Sequence, residues 1–130
     1  MWLIGIAAFG GTLSIRVCDP MLPSLGEAFG RSATDVSLTV TVFVMAYGLF
    51  SLVAGPLGDR RGKLAVMSVA ALVAAAASLA AALPLSYGWL LAMRFVSGAA
   101  IGAVMPLGLA WIGDNVPYAE RPATLANFTA

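Results

Sequence analysis

Apolar residues run along this chain in long blocks, and polar residues are confined to short intervals between them. A helix crossing about 30 Å of hydrocarbon needs about 20 mostly apolar residues. Four blocks meet that length, at residues 2–22, 36–57, 64–83 and 89–113. A polar, turn-rich segment, "PSLGEAFGRSATD", separates the first two, and Ser32 or Thr34 there is placed to cap the next helix. The run from Leu64 to Met93 carries no charge and is too long for one ordinary span. "LPLSYG" divides it, because Pro84 and Gly88 mark a short turn. After the fourth block, "DNVPYAERP" reads as a polar loop, and residues 123–130 read as the first turns of a fifth helix. The pattern predicts an all-α, polytopic membrane protein of four transmembrane helices plus the start of a fifth.

Composition agrees with a lipid environment. Apolar residues make up 61% of the 130 and charged residues 10%, against roughly 25% charge in a soluble domain. A net charge of +1, with no basic patch able to track phosphates, argues against a nucleic-acid partner. With no histidine and one cysteine, Cys18, neither an internal disulfide nor a metal or redox centre is expected, and no cofactor is implied. The first block lacks the basic start of a signal peptide and the small residues of a cleavage site, so it is expected to be a retained helix. Arg60, Arg61 and Lys63 follow the second block and Arg121 the fourth, whereas only Arg31 lies in a loop on the other side. The positive-inside bias therefore puts those two connections and the N-terminus in the cytoplasm, with the protein in the cell inner (plasma) membrane.

Small residues point to close helix packing. The third block is alanine-rich, and Gly98 and Gly102 stand at GxxxG spacing in the fourth, which suits backbone approach within the chain. Pro106 is expected to bend that helix. Three charges lie inside the blocks: Arg16, Asp19 and Arg94. A charge near the middle of a membrane helix costs roughly 2.5–3.5 kcal/mol on insertion scales, so such residues face a bundle interior or a water cavity. Arg16 and Asp19 are three apart and share a helix face; Arg16 is also placed to snorkel to the interface. Asp19 precedes Pro20, with Pro23 close by, which would loosen the helix there. At similar depth on separate helices, Asp19 and Arg94 are natural partners, and a carboxylate beside an arginine can release and rebind a proton.

"GPLGDRRGK", residues 55–63, concentrates charge between two greasy helices. Positive-inside topology explains Arg60, Arg61 and Lys63 but not Asp59 set among Gly55, Gly58 and Gly62. The stretch resembles the loop signature of the major facilitator superfamily, G-x-L-x-D-R-x-G-R/K, through Gly55, Leu57, Asp59, Arg60, Gly62 and Lys63. "RFVSGAAIGAVMP" resembles that superfamily's fourth-helix signature through Arg94, Gly98 and Gly102, and "CDPMLPSLGEAFG" resembles the first helix of its drug:proton antiporter branch through Asp19, Leu22 and Pro23. Arg61, Leu64 and Ser97 depart from the family pattern.

The resemblance implies the N-terminal part of a twelve-helix transporter built of two six-helix halves, each with inverted three-helix repeats. It implies that helices one and four, bearing Asp19 and Arg94, face the cavity. It further implies that Asp59 engages the partner half when the cytoplasmic side is closed, and that Lys63 pairs with an acid at the end of helix four, for which Asp114 is the candidate. The expected function is proton-coupled efflux of small organic molecules by alternating access, not enzymatic catalysis. The partners are then the substrate, protons, the bilayer and the missing C-terminal half, without which the fragment is not expected to transport. An uptake permease of the same superfamily and a four-helix multidrug transporter working as a homodimer are the alternatives. A non-transporting membrane scaffold would leave Asp59 and Arg94 without a purpose.

Overall fold

The computed structural model describes residues 9–10, 13, 19–83 and 85–129. Most of the first expected span, including Arg16 and Cys18, lies outside the described residues. From Asp19 onward the chain is helical: a 3-10 turn at Asp19–Met21, α1 at Leu22–Phe29, α2 at Ala33–Arg61, α3 at Lys63–Ala81, α4 at Tyr87–Asn115, a second 3-10 turn at Tyr118–Glu120, and α5 at Arg121–Thr129. Three of these, α2, α3 and α4, are long and apolar enough to cross a membrane.

The ends of the helices are set by caps rather than by the limits of the apolar blocks. Ser32 accepts a hydrogen bond from the Asp35 backbone N–H at 3.2 Å, and its hydroxyl donates to Asp35 Oδ2 at 2.9 Å. This reciprocal cap starts α2 ahead of the block at 36. Gly62, at φ +88°, ends α2 and is the sole residue between it and α3. Only glycine adopts that conformation without strain. Ser86 starts α4 by accepting from the Trp89 N–H at 3.1 Å. With 29 residues each, α2 and α4 are about 43 Å long, so their polar ends extend past the hydrocarbon into the interface.

Residues 22–29 differ from the turn-rich reading of the sequence. Pro23 sits at the start of α1, where a missing N–H costs nothing, so it opens a helix instead of loosening one. Gly30, at φ +59°, closes α1, and the Arg31 N–H returns to the Gly26 carbonyl at 2.9 Å. Pro106 lies within α4 and Pro56 within α2, and both helices continue through them. Pro106 removes the hydrogen bond that would reach the Gly102 carbonyl.

α4 is the central element. Half of its most apolar stretch (50%) is buried, against 22% in α2 and in α3. It lies along both neighbours, which touch each other only sparingly. α3 meets it with a stripe of small or slender side chains, Met67, Ala70, Ala74 and Ala77. α2 offers Val36, Thr39, Phe43, Ala46, Ala54 and Gly58. Both stripes follow helical three- and four-residue steps. The outward faces remain apolar, with Met45, Leu49 and Leu52 on α2 and Val69, Leu72 and Leu79 on α3 all exposed. Such surfaces suit lipid or further helices, and with the three long helices they define a multi-pass membrane protein.

Candidate functional site

The middle of the bundle is a seam in which α2 and α4 meet backbone to backbone. A Cβ placed on Gly98 would overlap the Phe43 carbonyl oxygen and lie 3.0 Å from its Cα. One turn further, a Cβ on Gly102 would overlap the Tyr47 carbonyl oxygen and lie 3.0 Å from the Tyr47 Cα. The two glycines, four apart, thus meet two residues of α2 that are also four apart. Close approach of this kind supplies the dispersion contacts that hold helices together in lipid.

Arg94 stands one turn before Gly98 on the same face of α4. It is 4% exposed, although it carries a formal charge. Its Cζ lies 4.2 Å from the centroid of the Phe43 ring, within cation–π range, and Phe43 itself is fully buried. Phe43 therefore meets α4 twice, with its carbonyl at Gly98 and its ring at Arg94. On the other side of α4, Ser97 is buried, and its hydroxyl lies 3.3 Å from that of Ser78 on α3.

At the end where α2 passes into α3, charges gather. Lys63 Nζ donates to Asp114 Oδ2 across the α3–α4 interface, and Asp59 Oδ1 lies 3.6 Å from the same nitrogen. Asp59 and Asp114 are largely exposed, while Lys63 is mostly covered. Lys63 opens α3 and Asp59 lies in the last turn of α2, so the one-residue connection at Gly62 brings them together. A Cβ on Gly58 would overlap the end of the Leu107 side chain and approach Lys63 Cγ to 3.4 Å. At Gly55 nothing lies within 4 Å of the Cβ position among the described residues. Leu57, Arg60 and Arg61 are exposed, the two arginines in the last turn of α2.

The opposite end is held by ring and backbone groups. The Tyr87 hydroxyl donates to the Asp35 carbonyl, and Trp89 Nε1 donates to the Ala80 carbonyl at 2.8 Å. Phe29 meets the Tyr87 ring edge-on with centroids 6.0 Å apart, and Arg31 Cζ lies 5.0 Å from the same ring centroid. None of these contacts, nor the double role of Phe43, was singled out from the sequence. A mid-helix phenylalanine reads as packing unless the facing helix is known.

Asp19 begins the first 3-10 turn. The Asp19 side chain and the whole of Arg16 lie outside what the structure describes, and with them the pairing expected between Asp19 and Arg94. Among the described residues there is no group of three or more His, Cys, Asp or Glu able to hold a metal ion.

Comparison with known proteins completes the picture. The family profile described as Major Facilitator Superfamily matches residues 4–130. The chain is 31% identical over 122 residues to the multidrug transporter DTR1 of Candida glabrata, covering 92% of this chain and 22% of that protein. It is 30% identical over 108 residues to the inner membrane transport protein YnfM of Escherichia coli, covering 81% of this chain and 25% of that protein. It is 28% identical over 126 residues to citrate exporter 1 of Aspergillus niger, covering 97% and 24% respectively. The chain thus spans about a quarter or less of the length of these relatives. No solved structure matches it.

Proposed function

Because the chain belongs to the Major Facilitator Superfamily, whose members are transporters rather than enzymes, we propose that it serves proton-driven export of small organic molecules across the cell inner membrane. The mechanism is alternating access, a two-state equilibrium between cavities open to either side. Three kinds of support bear on this reading. Relatives include proteins described as a multidrug transporter and a citrate exporter. Asp19 falls in a segment that resembles the drug:proton antiporter branch. Arg94 is a buried cation in a membrane helix.

The observation that carries the reading is the Asp59–Lys63–Asp114 cluster. Lys63 draws together the ends of α2, α3 and α4, yet both carboxylates keep most of their surface open. A carboxylate has acceptor sites for more than one donor, so Asp59 is placed to engage a second body, the other half of the transporter, and to let go of it. That makes the cluster a latch for one of the two states, with Gly55, Leu57, Gly58, Arg60 and Gly62 shaping its α2 side. In this scheme Asp19 carries the proton, Arg94 tunes it electrostatically, Arg16 shares the face of Asp19, and the N-terminus lies in the cytoplasm.

The test is proton-driven substrate uptake into inverted membrane vesicles carrying the full-length gene product that contains this chain. Asp59→Asn is expected to lower turnover at unchanged protein level, and Asp19→Asn to abolish the response to the proton gradient. Unchanged turnover in the first removes the latch, and an unchanged proton response in the second removes Asp19 as carrier. Uptake driven in the opposite sense would make the protein an uptake permease.

A further inference from the structure

Phe43 is fully buried, and its two contacts with α4 are one turn apart on that helix. The carbonyl at Gly98 is a hard stop: no side chain fits between the two backbones, so the separation of α2 and α4 is set at that level. The ring reaches back one turn to Arg94, where Cζ lies 4.2 Å from its centroid. Fixing the backbone of Phe43 against Gly98 therefore fixes the height at which its ring can receive the guanidinium. Tyr47 repeats the backbone half of this contact at Gly102, which keeps the two helices in register.

A ring face differs from a carboxylate in one respect that matters for a charge inside a membrane. It attracts a cation through its quadrupole but brings no opposite formal charge. It positions the guanidinium without neutralising it. Resting on the transport reading above, we propose that Phe43 is a positioning residue that holds the Arg94 guanidinium at a set height in the α2–α4 seam while leaving its positive field available to the proton-carrying carboxylate. A carboxylate that loses its proton is then drawn to an arginine already in place. One that regains it releases an arginine that stays on the ring.

The test replaces Phe43 in the full-length gene product, reconstituted in lipid nanodiscs or vesicles, with phenylalanines bearing one, two or three ring fluorines. These keep the shape of the ring while progressively weakening the negative potential of its face. Two readouts are taken: the NMR shift of the Arg94 side-chain N–H, which feels the ring current and the stack, and the rate of proton-driven transport. The expected result is a graded change in both with fluorine number, the rate falling about tenfold across the series, in keeping with a desolvated cation–π contact. A transport rate independent of fluorine number makes Phe43 a packing residue only and overturns the proposal. An Arg94 shift insensitive to both the series and Phe43→Leu overturns it as well. If the shift follows the series while the unmodified protein shows no proton-driven transport, the proton-driven reading fails. The coupling role of Phe43 fails with it, although the stack itself stands. Phe43→Tyr, which retains a ring face, is expected to keep the shift and most of the rate even if Phe43→Leu does not fold.

Discussion

The middle of the bundle and its charged end hold the same helices by opposite means. In the middle, Gly98 and Gly102 bring the α4 backbone onto the carbonyls of Phe43 and Tyr47, with no side chain between them. At the end, Lys63 reaches Asp114 and lies near Asp59 through flexible side chains whose carboxylates are largely exposed. Displacing the first contact would open voids along two helices and forfeit their dispersion contacts. The second can be remade with other donors or with water at little cost, because exposed ion pairs are weak. The alternating access proposed above would use both: a body that holds its shape and a fastening that opens.

Substituting Gly98→Ala or Gly102→Ala is the most severe way to break this contrast. Each new methyl would meet backbone rather than a movable side chain, and the expected loss is roughly 1–3 kcal/mol of stability. Unfolding of purified protein in mixed micelles measures it, and a loss within error would mean that the helices can separate freely there. Gly58→Ala probes the transition between the two regions. The methyl would meet the end of the Leu107 side chain, which can turn aside, so the expected cost is near the low end of that range, about 1 kcal/mol. In a Leu107→Ala background the same substitution should cost nothing, and a double-mutant cycle reads the difference. Asp114→Asn has the smallest expected effect on stability: the unfolding midpoint should stay in place while transport turnover falls. A large drop in the midpoint would put the cluster with the fixed seam and end the contrast.

The three long helices were legible in the sequence because lipid demands about 20 apolar residues for each span and tolerates little else. Their ends were less so. Block edges at 36, 57, 89 and 113 follow hydropathy, whereas α2 and α4 run to the points where Ser32, Gly62 and Ser86 cap or break them. α1 went unread because Pro23 and the glycines at 26 and 30 resemble turn residues, while in the fold Pro23 opens the helix and Gly30 closes it. Within the candidate site, the family resemblance implies that Lys63 pairs with an acid at the end of helix four, and in the structure Lys63 donates to Asp114. The partner of Arg94 on α2 could not be read, because nothing in a sequence states which face of a neighbouring helix a GxxxG pair will meet. The open space at Gly55 among the described residues was equally hidden, since glycines with and without a close neighbour look alike in a sequence.

That α2 and α3 scarcely touch, while α4 fills the groove between them, bears on how the chain is made. Lipid gives two apolar helices little reason to associate unless their surfaces interlock. A ribosome that has delivered only the hairpin turned by Gly62 has, among the described elements, delivered two helices that await a third. The arrival of α4 is then the step that commits the hairpin to its final shape, and it brings Arg94 into the bilayer beside the ring that receives it. Chains interrupted before that point would present loosely paired helices, so α4 is the element on which the assembly of the described helices turns.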